Sequence, residues 1–294
     1  MCGKTACRDL RGGGQVTGHS TLMAYNFGRK KMDSKNNVIN TEQESIATSM
    51  DCEDVELVEY LPYILQDFYE IGSSAQSLAR IVKENNAKES VKIIDLGCGK
   101  GTVLIELAQR VKSECLGIDG IKEFIDYANE QVRMRGITNC KFKAGDIRRT
   151  DKIQGKYDFI ILGSIGPVYG DYYTTMEKLK PLLCDDGIII LDDGYIEERK
   201  DSTHATIGIK KVLIDQIKTA GMEIIKEYLG DEISDKSEYE KQYQDIKIRC
   251  HELMLKYPNK KELFEGYIRK QKEEYHNLEE EITCSTMLIK RKIA

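Results

Sequence analysis

The stretch IIDLGCGKG, residues 93–101, decides how this chain folds. An apolar run typical of a buried strand ends in the pattern Asp-x-Gly-x-Gly-x-Gly, and residues with helical spacing follow directly. The glycines allow a tight turn and let the backbone approach a ligand closely. The start of the helix supplies N–H groups and a partial positive charge, which suit an anionic group such as an amino-acid carboxylate. We therefore predict a strand, a ligand-binding loop and a helix.

The chain after residue 90 alternates short apolar runs with helical patterns. This alternation predicts an α/β fold with a parallel sheet and helices on both faces. Such sheets bind ligands beyond the carboxyl ends of their strands, so the loops after the strands are the ones to examine. The predicted strands are 91–96, 115–118, 141–144, 157–162, 187–191, 222–228 and 282–290, and the predicted helices are 101–112, 121–135, 172–183 and 203–220.

A glycine-rich loop after a strand also occurs in nicotinamide-dinucleotide-binding domains, whose fingerprint is Gly-x-Gly-x-x-Gly. Here Gly97 and Gly99 would require a glycine at the position of Thr102. The third glycine comes one residue earlier, at Gly101, and Asp95 precedes the loop. This pattern resembles motif I of class I S-adenosylmethionine-dependent methyltransferases. A nicotinamide-dependent oxidoreductase is therefore the disfavoured alternative.

Three later strand ends extend this resemblance. Asp119 ends the second predicted strand, where a carboxylate can accept hydrogen bonds from both ribose hydroxyls, although nicotinamide enzymes use the same device. Asp146 and Ile147 follow the third strand, where members of the family meet the adenine. Gly163 and Ser164 follow the fourth, in the loop that lies beneath the methyl-donor centre.

The resemblance implies a three-layer sandwich with a seven-stranded, mostly parallel sheet whose last strand is antiparallel. Residues 61–67 and 192–195 look like those of prokaryotic members without an assigned substrate. In such enzymes N-terminal helices often cover the cofactor, so we predict lid contacts from Tyr63 and Gln66. The implied cofactor is S-adenosylmethionine, and the residues expected to bind it are Asp95, Gly97, Cys98, Gly99, Gly101, Asp119, Gly120, Asp146, Ile147, Gly163, Ser164, Tyr63 and Gln66.

The methyl acceptor would enter beyond the fourth and fifth strands. Methyl transfer from a sulfonium is an in-line displacement, so the enzyme mainly aligns the nucleophile and excludes water. Asp192 and Asp193 could hold a cationic substrate or take its proton, or they could form a solvated turn. Tyr172 and Tyr195 are the aromatic candidates on this side. Neither the cysteines nor the histidines have metal-ligand spacing, so no metal site is predicted.

We divide the 294 residues into four parts. Residues 1–31 are predicted to be a disordered tail or an added extension, and residues 32–90 a helical cap. Residues 91–230 with 282–294 form the Rossmann-like domain, and residues 231–281 a charged helical insertion. The insertion is either a substrate lid or a solvated helical pair.

The amino-acid composition limits the classes of molecule that this protein is expected to bind. The net charge is −5, so nothing in the overall charge favours nucleic acid, and no apolar stretch is long enough to span a membrane. The nine cysteines have no disulfide-like spacing, which predicts a reducing, cytoplasmic compartment. We expect a small-molecule acceptor. The alternatives are a protein or RNA methyltransferase and a cofactor-binding module without activity, and the oligomeric state stays open.

Overall fold

The computed structural model describes residues 41–197, 208–230 and 236–292. The predicted tail at 1–31 and the start of the helix predicted at 203–220 lie outside these residues. The strands are β1 Val91–Leu96, β2 Ser113–Asp119, β3 Cys140–Ala144, β4 Tyr157–Gly163, β5 Leu183–Tyr195, β6 Met222–Leu229 and β7 Thr283–Arg291. The helices are α1 Glu42–Ser49, α2 Leu61–Ile64, α3 Ala75–Glu84, α4 Thr102–Arg110, α5 Lys122–Met134, α6 Tyr172–Leu179, α7 Lys210–Thr219, α8 Lys236–Lys256 and α9 Lys261–Glu280.

The seven strands form one sheet in the order β3-β2-β1-β4-β5-β7-β6. The pairings among β1 to β5 are parallel, whereas β7 runs antiparallel between β5 and β6. The predicted seven-stranded sheet with an antiparallel last strand is therefore confirmed. None of the helices in the described part of the chain has both the length and the apolar character needed to cross a bilayer.

The central strands are buried on both faces because successive side chains point to opposite sides of a sheet. Ile93 and Ile161 belong to a core that includes side chains of α3 and α4. Ile94 and Ile160 belong to a second core on the other face, with side chains of α6 and α7. Burying each such side chain contributes about 1.5–3 kcal/mol, which explains why these strands are continuous apolar runs.

A third core joins the N-terminal helices to the charged insertion. Leu61 and Ile64 of α2 pack in the same cluster as Ile246 of α8 and Phe264 of α9. Phe124 of α5 also belongs to this cluster, so the helical layer adjoins the element that follows β2. Pro258 begins a short 3-10 turn between α8 and α9, at the predicted break. The two flanking regions, which are far apart in sequence, thus form one layer.

Strand β5 is longer than the predicted strand at 187–191, and this changes the position of the acceptor-side candidates. Asp192, Asp193 and Tyr195 lie within the strand and not in a turn after it. The strand continues because β7 pairs with it as far as Tyr195 and Thr283. The backbone ladder to β7 therefore overrides the polar character of these residues, and the solvated-turn alternative is wrong, since Asp192 and Asp193 are both buried.

Candidate functional site

The glycine loop after β1 has the conformation that its sequence requires. Gly97, Gly99 and Gly101 have φ angles of 83°, 50° and 76°, in the region that favours glycine. At Gly101 a Cβ atom would lie 2.5 Å from Phe142 Cζ, so the position excludes a side chain for steric as well as conformational reasons. Helix α4 begins directly after Gly101 with no side-chain cap, which leaves its first N–H groups available to a ligand.

Asp119, at the end of β2, ties the second strand to this loop. Its Oδ2 accepts a hydrogen bond from the Gly99 N–H at 2.8 Å, and its Oδ1 accepts one from the Ile121 N–H at 2.8 Å. Burial raises the pKa of this carboxyl, and the two backbone donors act in the opposite direction. A carboxylate has about four acceptor sites, so Asp119 keeps capacity for ribose hydroxyls.

Asp95, Cys98 and Gly101 support the loop from behind and do not line the pocket. Burial, followed by the charge of Asp119, raises the pKa of Asp95 to about 8. The Cys98 Sγ lies where a side chain at Gly117 would stand, so Cys98 fills space under the turn. Burial raises the pKa of the Cys98 thiol, which keeps the thiol neutral and unreactive.

Lys100 connects the loop to the helical layer, a role that the sequence did not reveal. Its side chain is buried, and its Nζ donates to the carbonyl oxygens of Leu65 at 2.7 Å and Phe68 at 2.6 Å. These carbonyls belong to the segment that follows α2. The ammonium therefore fixes the N-terminal layer against the loop that starts α4.

One pocket brings together the ends of β1 to β4. Eight of the predicted cofactor residues, from four loops, line this pocket. They are Gly97, Gly99, Asp119, Gly120, Asp146, Ile147, Gly163 and Ser164. The Asp146 carboxylate accepts hydrogen bonds from Nε and Nη2 of Arg148, at 2.9 Å and 2.8 Å, and these bonds lower the pKa of Asp146. The pocket thus offers a permanent anion beside the apolar side chain of Ile147.

Helix α1 covers this pocket. Glu42, Ser45, Ile46 and Ser49 line it, and so does Met50, which ends the helix. Ile46 approaches so closely that a Cβ atom on Gly120 would lie 2.6 Å from its Cδ1. The sequence indicated only that this region is helical. The capping box of Thr41 and Glu44 marks where the helix begins, but nothing local shows which surface the helix covers.

Tyr63 and Gln66 lie away from the pocket, contrary to the prediction that they cover the cofactor. The Tyr63 hydroxyl donates to Glu252 Oε2 on α8 at 2.8 Å, and the side chain is 41% exposed. The Gln66 amide donates to the carbonyl of Tyr63. The packing of α2 against α8 turns these side chains outward, and α1 takes the covering position.

The loop after β4 lines the pocket and is hydrogen-bonded to strand β5. Ser164 has a φ of 54°, uncommon for a residue with a side chain, and its N–H donates to the Asp192 carbonyl at 2.8 Å. Its hydroxyl lies 3.4 Å from that of Ser73, which is buried. This contact also explains Gly163, where a Cβ atom would lie 2.6 Å from the Ser73 Oγ.

The acceptor-side candidates do not form one group. Asp192 accepts a hydrogen bond from Thr286 Oγ1 at 2.6 Å, whereas Asp193 accepts one from the Tyr172 hydroxyl at 2.9 Å. Successive residues of a strand point to opposite faces, so the expected pair of acids is split. Burial raises the pKa of Asp193 to about 7. Asp193 and Tyr172 are therefore held together as a hydrogen-bonded pair, apart from Asp192.

Tyr195 belongs to a different network. Its hydroxyl donates to Glu227 Oε1 at 2.8 Å and accepts from Lys210 Nζ at 2.7 Å. The side chain is fully buried between the strand and the start of α7. This position fixes α7 to the sheet and removes Tyr195 from the acceptor side. Across the described ranges, no group of three or more His, Cys, Asp or Glu residues could hold a metal ion.

These strand ends suit S-adenosylmethionine. The uncapped start of α4 can bind a carboxylate, the Asp119 carboxylate can bind ribose hydroxyls, and Ile121 with Ile147 offers apolar surface for an adenine ring. Gly97 has no room for a side chain because Ile165 Cγ2 would contact its Cβ atom. The backbone of the loop is thus the surface that a ligand meets.

Known proteins are similar to this chain in sequence. An uncharacterized RNA methyltransferase from Clostridium tetani is 28% identical over 55% of this chain and 41% of its own length. The (S)-coclaurine N-methyltransferase of Thalictrum flavum is 26% identical over 36% of this chain and 29% of its own length. The chain spans half or less of these curated relatives.

A solved structure from Thiobacillus denitrificans has the same fold. It is a SAM-dependent methyltransferase in complex with S-adenosyl-L-homocysteine, and it aligns with a TM-score of 0.64 at 17% identity, over 78% of this chain and 97% of its own. The family model described as a methyltransferase domain matches residues 87–283. This chain therefore belongs to the methyltransferase-domain family.

Proposed function

We propose that the protein transfers a methyl group from S-adenosylmethionine to a small-molecule acceptor. The observation that carries this proposal is the helical cover. Four residues of helix α1 and the following Met50 line the pocket, and the layer formed by α2, α8 and α9 packs beside the helix. A site enclosed by helices has room for a small acceptor and excludes water, which displacement at a sulfonium requires.

The chain's own residues hold and orient the cofactor in this proposal. S-adenosylmethionine supplies a methyl group that is already activated by the positive sulfonium. The Asp119 carboxylate, fixed by the N–H groups of Gly99 and Ile121, binds the ribose and sets its orientation. The Gly163–Ser164 turn, anchored to the Asp192 carbonyl, borders the pocket at the fourth strand end. Asp193, with a pKa of about 7, can take a proton near neutral pH.

The charge distribution disfavours RNA as the acceptor. Arg148 and Arg149, which follow β3, are paired with Asp146 and Asp151 at 2.8 Å and 3.0 Å. Pairing neutralises the cations that a phosphate backbone would need. Lys141 and Lys143 lie on the edge strand β3 and are exposed, but two lysines on one strand make a small patch. An RNA methyltransferase would need a broader basic face next to the pocket.

Methyl-labelled S-adenosylmethionine tests this proposal directly. The purified protein is incubated with the labelled cofactor and, separately, with the metabolite, RNA and protein fractions of a cell extract. We expect label in the metabolite fraction, and none there with Asp119→Ala, which should lose cofactor affinity. Label in RNA or in protein would overturn the small-molecule proposal while leaving the family assignment intact.

A further inference from the structure

Helix α1 turns a polar face toward the cofactor pocket. Glu42, Ser45, Ile46 and Ser49 line the pocket and follow the spacing of one helical face. A helix that only packs against a protein presents an apolar stripe to it, whereas three of these four side chains carry oxygen atoms. The buried residue of α1 is Ala47, which does not line the pocket. The face toward the pocket therefore has the composition of a surface that contacts a polar ligand.

Glu42 and Ile46 lie one helical turn apart over Gly120, the residue that follows Asp119. A Cβ atom on Gly120 would lie 2.6 Å from Ile46 Cδ1 and 3.6 Å from Glu42 Oε1. Gly120 does not have the positive φ that calls for glycine, so the space that this residue leaves is what the fold uses here. The Glu42 carboxylate thus lies beside the backbone that joins Asp119 to the start of α5.

Helix α1 does not need the Glu42 side chain in order to begin. Its capping box is made by Thr41 Oγ1, which accepts from the Glu44 N–H at 3.2 Å, and by Glu44 Oε2, which accepts from the Thr41 N–H at 2.6 Å. An acid in the first turn also interacts favourably with the helix dipole, and this is the role that Glu42 would have if it met no ligand. The dipole does not explain why the carboxylate lines the pocket.

Asp119 meets the ribose from one side only, at the end of β2. Each of its oxygens already accepts one backbone N–H, Oδ2 from Gly99 and Oδ1 from Ile121, both at 2.8 Å. A carboxylate oxygen has about two acceptor sites, so each keeps one for a ligand. Helix α1 covers the pocket, and Glu42 lines it beside Gly120. A carboxylate from this helix would give the ribose hydroxyls a second set of acceptors, on the covered side.

We propose that Glu42 accepts a hydrogen bond from a ribose hydroxyl of the bound cofactor, so that α1 contacts the ribose as well as covering it. The proposal rests on the assignment of this pocket to S-adenosylmethionine. It makes Glu42 a specificity-determining residue, because a hydrogen bond from a hydroxyl to a carboxylate is lost when the ligand lacks that hydroxyl. Asp119 and Glu42 would then bind the ribose from opposite sides, one from the sheet and one from the helix.

Glu42 also acts on Arg148, and a test has to separate this indirect effect from a contact with the ribose. The side-chain hydrogen bonds to Asp146 are the first cause that raises the pKa of Arg148, and the charge of Glu42 adds to it. A Glu42 variant could therefore change ligand affinity through Asp146, or by loosening α1. Either indirect effect would weaken every adenosine ligand by the same factor, whereas a bond to a ribose hydroxyl depends on that hydroxyl.

Calorimetric titration measures the affinity of each variant for three ligands, namely S-adenosylhomocysteine and its 2′-deoxyribose and 3′-deoxyribose forms. Glu42→Ala removes the acceptor and leaves a residue that favours the helix. Glu123→Ala is the matched control, because it removes an exposed acid from the first turn of α5. Ile46→Ala is a second control, since it removes an apolar contact from the same face of α1. Urea unfolding checks that every variant is folded.

We expect Glu42→Ala to weaken the binding of S-adenosylhomocysteine about ten-fold or more, because it removes a charged acceptor. It should weaken at least one deoxyribose form by less than about three-fold, because that form has no hydroxyl to donate at this position. Ile46→Ala should weaken all three ligands by the same factor, and Glu123→Ala should weaken none of them. Glu42→Gln keeps an uncharged acceptor, so its affinity for S-adenosylhomocysteine should lie between those of wild type and Glu42→Ala.

Three results would overturn the proposal. They are an affinity of Glu42→Ala for S-adenosylhomocysteine within about two-fold of wild type, an equal loss for all three ligands, and the same ligand preference in Ile46→Ala as in Glu42→Ala. If the wild-type protein bound none of the three ligands, the assignment of the pocket to S-adenosylmethionine would fall together with the proposal.

Discussion

Asp119→Asn is the substitution whose effect the structure defines most closely. The two oxygens of this carboxylate have separate backbone donors, Gly99 N–H and Ile121 N–H, both at 2.8 Å. Asparagine provides one acceptor oxygen, so its NH2 group must face the second N–H. The amide is therefore not a conservative replacement at this position, although it has nearly the same shape. We expect it to behave almost like Asp119→Ala.

The size of the effect follows from the bonds that the carboxylate makes. A hydrogen bond to a charged group contributes about 1.5–3 kcal/mol, and the substitution removes one such acceptor from the ribose. The predicted loss in S-adenosylhomocysteine affinity is therefore about 10- to 150-fold. Burial outweighs the two backbone donors in setting the pKa of Asp119, so losing its charge should itself cost the ligand-free fold little. The backbone N–H that loses its acceptor should lower the free energy of unfolding by about 1–3 kcal/mol, and the loss in ligand affinity comes in addition.

Calorimetric titration with S-adenosylhomocysteine measures the affinity, and urea unfolding of the ligand-free protein measures the stability. Asp126→Asn is the matched control, because it is the same substitution on the exposed face of α5, where Asp126 forms an ion pair with Lys122. If Asp119→Asn were folded and bound S-adenosylhomocysteine within two-fold of wild type, the assignment of Asp119 to the ribose would be refuted.

Three further predictions concern the loop and its supports. Lys100→Met should lower the free energy of unfolding in urea by about 2 kcal/mol, because it removes charged donors from the carbonyls after α2, whereas the exposed Lys122→Met should not. Gly101→Ala should lower the Tm more than Gly136→Ala, since both have positive φ but only the first places a Cβ atom among packed side chains. The folded protein keeps the Asp95 carboxyl protonated up to a pKa of about 8, whereas the unfolded chain releases that proton near pH 4. The stability of the wild type should therefore fall as the pH rises from 5 to 7, and that of Asp95→Asn should not. Urea unfolding should show Asp95→Asn gaining about 1.4 kcal/mol relative to wild type for each pH unit in this range.

Each of these has a contrary outcome. Equal urea midpoints for the Lys100 and Lys122 variants would mean that the carbonyls after α2 find water. Equal Tm losses at Gly101 and Gly136 would mean that conformational strain alone sets the cost. A pH-independent difference for Asp95→Asn would show that its carboxyl is ionised in the folded state.

The residues predicted for the cofactor side lie close together because that side is built from local features. The glycines of residues 97–101 and the acid Asp119 each stand at the end of an apolar run, so the pattern of the chain marks them. The carboxyl ends of parallel strands meet at one edge, and this rule alone brings Asp119, Asp146 and Gly163 to one pocket. The antiparallel direction of the last strand came from the resemblance to a family, since periodicity does not determine strand direction.

The residues predicted for the acceptor side do not lie together, because their positions depend on packing between distant segments. Tyr63 lies in α2 and Gln66 in the turn after it, and the direction of this segment is set by α8, far along the chain. Asp192 and Asp193 resembled a turn after a strand because the partner that extends β5 comes more than 90 residues later, in β7. The buried polar face of α9 has no sequence signal at all, since Gln271 and Glu274 look like the rest of a charged helix until Asp51 is brought against them.

The polar groups that support the cofactor side are hydrogen-bonded before a ligand arrives. On the cofactor side both oxygens of Asp119 have backbone donors, Asp146 has Arg148, and Lys100 has the carbonyls after α2. These bonds hold the loop in its binding conformation, so the cofactor meets a preformed surface.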